Sequence, residues 1–381
     1  MISICKFPAK YNIKFLFIYF DLYNLIFTLN ILIYIKKYFN INLYLSLNVS
    51  SHKIIIPKAV ICAGRIIRRR VRRMKYSDID AQAYQQFMKQ KFEYKISSVL
   101  EEMKKHNLYI FILGYGDKTA LGFDFSDYGL ISRLESPLFG YSSGSNSVFF
   151  GYLVDHRAPY FDGRLPTDLE KMLFDSRATA SSEEIELAKL ISDSKIQKYM
   201  DFKAVFDSEL KSTDLVIVGQ VRGDSAYLET ENLCHSNVDL VNQSMTAIKA
   251  DRYFYKGHPR NRFNKDDLKE LAGIDNLTII PEDVSFASLL HGKPMIAVMT
   301  SGAGLEAAVR GCQVYCFGIS FYSNWGFTTD MLECARRTMV FDAVTFMALF
   351  ICRYTKYAKR KDLQHVSAKD AMTSYLVQIR S

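Results

Sequence analysis

Small, polar and basic residues gather directly after several apolar runs of this sequence. Three of these runs carry such residues at or just past their ends. The first is followed by Gln220, Asp224 and Ser225, the second carries Lys256, His258 and Arg260, and the third is followed by Ser301, Gly302 and Glu306. If the runs are parallel strands, their carboxyl ends meet at one edge of a sheet, which is where such sheets bind ligands. Cations and small residues at that edge suit a phosphate group, so the sequence predicts a site for a phosphate-bearing ligand.

The stretch YKGHPRNR supplies a histidine and several cations to this predicted edge. Pro259 fixes the turn that presents His258, and Lys256 and Arg260 lie on either side of it. In an alternative interpretation His258 caps a turn and the arginines are solvated. We favour a binding role because a cation, a glycine, a histidine and a proline all fall at one strand end.

A loop of small residues, TSGAGLE, opens a predicted helix. Its free backbone amides would attract an anion, and Glu306 would accept hydrogen bonds from ribose hydroxyls. The loop lacks the Gly-Lys-Ser/Thr ending of a Walker loop. Farther on, Tyr322 and the single tryptophan, Trp325, lie in an aromatic loop that would either stack on a sugar or base, or pack against the carboxy-terminal helix.

The elements that must position these residues alternate regularly along the second half of the chain. Strands are predicted at 214–218, 252–256, 277–280, 294–299 and 313–317, and helices near 238–249, 265–272, 284–290 and 303–310. Alternation at this spacing is typical of a doubly wound α/β fold with a parallel sheet. Upstream, the patterns predict helices at 78–106, from near 167 and at 181–199, and strands at 108–113, 129–134 and 148–154.

These patterns divide the chain into three parts. Residues 1–73 form a hydrophobic and arginine-rich extension, 74–199 an amino-terminal α/β domain on the acceptor side, and 200–381 a carboxy-terminal Rossmann-like domain. Two α/β halves joined by a helix fit an enzyme with its ligand in the cleft between them.

Charge is uneven along the chain and restricts the classes of partner. The formal net charge of +9 divides into +12 for residues 1–73 and −3 for the remainder. Because the basic excess belongs to residues 1–73 and residues 74–381 are nearly neutral, we do not expect nucleic-acid binding. The seven cysteines form no Cys-x-x-Cys pair and no Cys/His spacing typical of zinc, so no metal site is predicted.

The amino-terminal extension has two interpretations of equal weight. Residues 15–35 are long and apolar enough to span a bilayer and are followed by Lys36 and Lys37, which favours a membrane anchor. The Ile, Asn, Lys and Tyr bias of the same segment is also expected from AT-rich DNA that is not translated, in which case Met74 is the start.

Five motifs in order resemble the bacterial capsule polysaccharide biosynthesis proteins, and the resemblance covers roughly 130–335. They are YFDGRLPTDLEKML, VGQVRGDSA, YKGHPRNR, TSGAGLEAAVRG and FGISFYSNWGFTTD. The family includes retaining transferases that move β-Kdo from CMP-Kdo to a lipid-linked saccharide. The resemblance implies two Rossmann-like domains in a GT-B arrangement, with the nucleotide on the carboxy-terminal domain.

Roles for individual residues follow from this resemblance. It implies that His258, Ser301 and Glu306 hold CMP, that Asp224 attacks the anomeric carbon, and that Glu135 is the acid/base. It further implies a cytoplasmic protein at the inner face of the inner membrane, working with a nucleotide-sugar donor, a lipid-linked acceptor and a capsule biosynthesis or export complex. No cofactor and no metal are expected beyond the donor.

The family pattern is incomplete on the acceptor side. Where its members carry Arg-x-Glu-Asp-Gly-Phe, this chain keeps Arg133 and Glu135 but has Ser136 in place of the second acid. The sugar that is transferred, or its acceptor, can therefore differ from that of the family members. Two alternatives stay open: an inverting GT-B transferase that uses a UDP- or GDP-sugar, and a catalytically silent scaffold that binds glycolipid or an export complex.

Overall fold

The computed structural model describes residues 3–5, 15–17, 48–49, 52–53, 110–113, 131–139, 149–175, 179–194, 196–199, 204–221, 223–259, 265–359 and 364–380. The chain forms two units, Met1–Arg133 and Leu134–Ser381. The predicted helix at 78–106, the arginine run at 65–73 and most of the candidate span at 15–35 lie outside the described residues. The division at residue 199 and the GT-B arrangement stay predictions.

The described part of the first unit consists of short strands. They are β1 (Ser3–Cys5), β2 (Phe15–Phe17), β3 (Asn48–Val49), β4 (His52–Lys53) and β5 (Ile110–Leu113). β1 pairs antiparallel with β2, and β3 pairs antiparallel with β4. The strand predicted at 108–113 is thus confirmed as β5. Within the residues that the structure describes, none of the helices is both long and apolar enough to cross a bilayer.

A six-stranded parallel sheet is the framework of the second unit. After β6 (Ile131–Glu135) and β7 (Phe149–Asp155), the chain forms β8 (Leu215–Val218), β9 (Tyr253–Lys256), β10 (Leu277–Ile280), β11 (Met295–Val298), β12 (Val314–Cys316) and β13 (Thr329–Asp330). The sheet order is β10-β9-β8-β11-β12-β13. Strand order reverses between β8 and β11, as in a Rossmann sheet. The predicted doubly wound parallel sheet is therefore confirmed.

Side chains of the central strands point alternately to two cores. On β8, Leu215 and Ile217 join one hydrophobic cluster, whereas Val216 and Val218 join the other. The alternation follows from the two-residue period of a strand, and a sheet covered on both faces needs apolar residues at every position. This is why the run Leu-Val-Ile-Val carries no polar residue.

Helices cover both faces of the sheet, and several of them begin at a side-chain cap. They are α1 (Asp168–Phe174), α2 (Ser182–Ser192), α3 (Ser225–Leu228), α4 (Asn237–Ala247), α5 (Lys265–Ala272), α6 (Phe286–Leu289), α7 (Ala303–Ala308), α8 (Ala343–Leu349) and α9 (Ala368–Arg380), with a π-helix at Phe350–Tyr354. Ser181 and Glu184 form a reciprocal capping box at α2, as the Ser/Glu-rich start of that segment predicts.

The carboxy-terminal chain returns to the strands that precede the parallel sheet. Here β14 (Lys356–Lys359) pairs antiparallel with β7 and with β15 (His365–Val366). The hydroxyl of Tyr354 donates a hydrogen bond of 2.8 Å to the buried Asp155. Since β14 and the π-helix pack on β7 and α1, the carboxy-terminal end of the chain stabilises elements that lie about two hundred residues earlier in the sequence.

Candidate functional site

One pocket lies at the carboxyl edge of the parallel sheet, where β8, β9 and β11 end. Its empty volume, including the open mouth, is about 550 Å³. Five of the predicted binding residues line it together: Lys256, His258, Ser301, Gly302 and Glu306. The strand order reverses between β8 and β11, so the pocket lies beside the switch point at which Rossmann sheets bind nucleotides. Three separate strand ends therefore contribute to one site.

His258 is oriented by an aromatic neighbour that the sequence did not single out. Its Nε2 lies 3.2 Å from the hydroxyl of Tyr199, and the two rings meet edge to face at 5.4 Å. Gly257 and Pro259 line the pocket on either side. The imidazole is thus held at the pocket wall.

Lys256 is buried at the last position of β9. Its ammonium donates to the backbone carbonyls of Pro281 and Glu282, at 2.7 and 2.9 Å. Burial lowers the pKa of Lys256 to about 8, although the acidic Asp283 and Glu282 oppose this shift. An ammonium has three N–H donors, so two of them fix the end of β10 and one is left for a ligand.

Glu306 also lines the pocket and is almost fully buried. Burial raises its pKa to about 7, although Arg310, the backbone N–H of Lys198 and the Lys198 charge pull it down. That N–H donates to Glu306 Oε2 at 3.2 Å. A carboxyl in this state can exchange a proton near neutral pH and accept hydrogen bonds from a sugar hydroxyl.

Arg310 ties the segment 196–199 to α7. Its guanidinium donates to the carbonyls of Ile196 at 2.6 Å, Ser194 at 3.2 Å and Glu306 at 2.9 Å. The segment follows α2 and brings Gln197, Lys198 and Tyr199 to the pocket wall. The sequence pattern assigns these three residues to the helix predicted at 181–199, whereas the helix in the structure ends at Ser192, so they were not among the predicted site residues.

The backbone amides at the start of α7 are less accessible than predicted. Those of residues 303–306 donate within the loop and the first turn, to Ser301 Oγ and to the carbonyls of Ser301 and Gly302. Gly302 lies close to Leu138: an added Cβ would stand 2.8 Å from Leu138 Cδ1, so that side chain would have to shift. The expectation that these amides stand free for an anion is therefore wrong for residues 303–306.

Gln220 joins two strand ends and does not line the pocket. Its Nε2 donates to Asp224 at 3.1 Å and to Thr300 Oγ1 at 2.9 Å, and its Oε1 accepts from the backbone N–H of Thr300 at 3.2 Å. The side chain is buried. It fixes the loops that follow β8 and β11 relative to each other.

Asp224 caps the short helix α3, whose first residue is Ser225. One carboxylate oxygen accepts from the N–H of Ala226 at 3.4 Å, and the other accepts from Gln220. The helix is only four residues long and is anchored by this cap. Asp224 is therefore half-buried and fixed in direction.

Glu135, at the end of β6, is close enough to Asp224 and Lys198 to interact with both electrostatically. Burial raises the pKa of Glu135 to about 7, the N–H of Ser136 and the Lys198 charge oppose the shift, and the Asp224 charge adds to it. The Ser136 N–H donates to Glu135 Oε2 at 3.1 Å. The charges of the two carboxyl groups that the sequence singled out for chemistry thus act on each other.

The remaining predicted residues lie elsewhere. Tyr322 and Trp325 are fully buried; Tyr322 donates to the Ser301 carbonyl at 2.5 Å, and Trp325 packs against Phe346 and Phe341. Neither ring has an exposed face for a sugar, so the packing alternative describes them. Arg133 is buried on β6, in the first unit. Arg260 lies outside the described residues.

No group of three or more His, Cys, Asp or Glu side chains is placed to hold a metal ion within the described ranges. The pocket wall instead carries cations and hydrogen-bond donors, namely Lys256, Lys198 and His258. Groups of this kind can neutralise a phosphate directly.

Comparison with known proteins identifies the family. The model of the capsule polysaccharide biosynthesis protein family matches residues 175–357. Over this segment the chain is similar to the capsule polysaccharide biosynthesis family. The match includes the loops after β8, β9 and β11, whereas Glu135 precedes it. The resemblance predicted from the five motifs is confirmed.

Two curated proteins are similar to this chain in sequence. The capsule polysaccharide modification proteins LipA of two Neisseria meningitidis strains, serogroups A and B, are each 27% identical over 238 residues, which cover 60% of this chain and 33% of theirs. The chain thus spans about a third of the length of these curated relatives.

Two solved structures share the fold. Thermosulfurimonas dismutans KpsC, described as a β-Kdo 2,7 transferase, matches with a TM-score of 0.58 at 21% identity, covering 74% of this chain and 89% of that one. KpsC of the same organism, described as a β-Kdo 2,4 transferase, matches with a TM-score of 0.57 at 22% identity. This match covers 71% of this chain and 86% of that one. At this identity the likeness is one of fold.

Proposed function

We propose that this protein is a glycosyltransferase that moves Kdo from CMP-Kdo to a lipid-linked saccharide with retention of configuration. The proposal depends on one observation: Lys198 lines the pocket together with Lys256, His258, Ser301 and Glu306, and its charge acts on the carboxyl groups of Glu135 and Asp224. The names of the structural neighbours, both Kdo transferases, support this choice of donor.

The pocket would hold the nucleotide. His258 and the third N–H of Lys256 would donate to the phosphate, and Glu306 would accept from ribose hydroxyls. Charge-assisted hydrogen bonds are stronger than neutral ones and are favoured where water is excluded. They would stabilise the negative charge that CMP carries as it departs.

Asp224 would act as the nucleophile in the first step. A carboxylate oxygen of Asp224 bonds to the anomeric carbon, the bond from that carbon to the phosphate oxygen breaks, and CMP leaves with the electron pair. The cap contacts of Asp224 hold its carboxylate in one direction, which lowers the cost of orientation.

Glu135 would act as the general base in the second step. It takes the proton of the acceptor hydroxyl while the hydroxyl oxygen attacks the anomeric carbon, and the bond to Asp224 breaks to return a carboxylate. Two inversions give net retention. A pKa of about 7 suits this task, because the group is then both ionised and basic at neutral pH.

The reaction would take place on the cytoplasmic side of the inner membrane, where activated nucleotide sugars are available. The acceptor would be presented at the membrane surface, and a capsule biosynthesis or export complex would be the partner. A neutral body without a transmembrane helix in its described part is compatible with peripheral attachment.

Donor turnover tests the proposal. The full chain is incubated with CMP-Kdo, a UDP-sugar or a GDP-sugar, in the presence of a chelator, and the released nucleotide is measured. We expect release from CMP-Kdo alone, and no loss in chelator, because cations on the pocket wall take the role of a metal. Release from a UDP- or GDP-sugar in place of CMP-Kdo would favour the inverting alternative, and release from none would favour the silent scaffold.

A further inference from the structure

Lys198 is a charged pocket residue whose ammonium has no hydrogen-bond partner among the described residues. It lines the pocket in the segment that Arg310 holds against α7. Its backbone N–H donates to Glu306 Oε2 at 3.2 Å. Its ammonium lies 5.7 Å from the centre of the Tyr199 ring, which leaves the N–H donors available to a ligand.

The surroundings of Lys198 keep it positively charged. Burial by itself lowers the pKa of Lys198, but two tyrosines and the carboxylates of Asp224 and Glu306 raise it above the ordinary value. Glu135 also interacts with this charge. Lys198 is thus the cation shared by the nucleotide pocket and the carboxyl pair.

The proposed reaction creates a specific need for such a cation. The anomeric carbon of a 2-keto sugar acid carries a carboxylate of its own, so attack by Asp224 brings two negative groups close together. Repulsion between like charges at short range raises the barrier unless a cation lies between them.

Resting on the function proposed above, we propose that Lys198 binds the carboxylate of the donor sugar and thereby selects a 2-keto sugar acid over a neutral sugar. Two features place the carboxylate, and not the phosphate, at Lys198. His258, Lys256 and Ser301 line the pocket at the strand ends, where the function proposed above puts the phosphate. Lys198, in contrast, interacts with Asp224 and Glu135, where the sugar must sit to react.

The test compares two ligands that differ by the sugar. Calorimetry measures the affinities of CMP and CMP-Kdo for wild type, Lys198→Met and Lys198→Arg. Methionine keeps the length of the side chain and removes its charge, whereas arginine retains the charge. We expect Lys198→Met to weaken the binding of CMP-Kdo by about 10- to 100-fold and the binding of CMP by less than about threefold. A hydrogen bond between charged groups contributes a difference of this size. Lys198→Arg should recover most of the affinity.

Each other outcome has one meaning. Equal weakening of CMP and CMP-Kdo would place the ammonium on the phosphate and overturn the inference, as would unchanged affinity for both. In either case wild type still binds both ligands, so the proposed function survives. If wild type binds neither ligand, the function and the inference fall together.

Discussion

Replacing Asp224 by asparagine is expected to abolish sugar transfer while leaving the fold and donor binding intact. Removal of a residue that forms the covalent intermediate lowers kcat by roughly 10³- to 10⁶-fold. Asparagine caps a helix as well as aspartate does, so α3 should keep its N-terminal contact with Ala226. Transfer rate, CMP-Kdo affinity and thermal unfolding are measured on the same preparation.

The alanine variant separates the chemical role of Asp224 from its structural role. Asp224→Ala loses the cap as well as the carboxylate, which costs about 1 kcal/mol of stability. If Asp224 only caps α3, Asp224→Asn would keep its transfer activity, and Asp224→Ala would lose activity because it is less stable. Activity within tenfold of wild type in Asp224→Asn would remove Asp224 from the role of nucleophile.

Replacing Glu135 by glutamine is expected to lower transfer and to remove a pH dependence near neutrality. The pKa of Glu135 is raised to about 7, chiefly by burial, so the base is ionised above this pH and protonated below it. In wild type, kcat should rise with pH up to about 7 and then level off. Loss of a general base typically costs roughly 10²- to 10⁴-fold, and Glu135→Gln should show a flat profile over this range.

Glu306 provides the matched control, since burial raises its pKa to about 7 as well. Glu306→Gln should alter donor affinity but keep the rise of kcat below pH 7. The opposite pattern, in which Glu306→Gln flattens the profile and Glu135→Gln does not, would assign the base to Glu306.

The pH dependence of stability gives an independent readout. A carboxyl whose pKa is raised in the folded state destabilises that state as pH rises from its ordinary value to about 7. Glutamine removes this penalty. Glu135→Gln should therefore unfold at or above the wild-type temperature at pH 8, so its loss of transfer would not reflect unfolding.

The parallel sheet and its strand ends could be predicted from the sequence because their signals are local. The runs that became β8 and β11 are apolar at every position, and polar residues begin one or two positions past their ends. Parallel pairing then brings those ends together without further information. This is how His258, Ser301 and Glu306 could be assigned to one pocket.

Lys198 could not be found in this way, because its position depends on contacts that are distant in sequence. Arg310 binds the carbonyl of Ile196, 114 residues away, and so holds the segment that carries the lysine. The sequence pattern places this lysine in the last turn of the helix predicted at 181–199, where a cation is common. No pattern within the segment distinguishes it from Lys189, which is exposed.

For Tyr322 and Trp325 the sequence predicts the position in the chain but not the role. Aromatic residues in a loop beside a phosphate site suit either a sugar or a core, and composition does not separate these cases. The choice is made by Phe341 and Phe346, which bury Trp325 from the start of α8. The position of the loop could therefore be predicted from the sequence, whereas its packing against the core could not.

Calorimetric titration of CMP into the full chain tests most directly whether the strand ends form one nucleotide site. Wild type should bind CMP saturably at one site. His258→Ala should weaken this binding by about tenfold or more, the size expected for a hydrogen bond to a charged group. His291→Ala, which removes an exposed histidine away from the pocket, should bind as wild type does. Absence of CMP binding to wild type, or equal affinity of wild type and His258→Ala, would contradict the account.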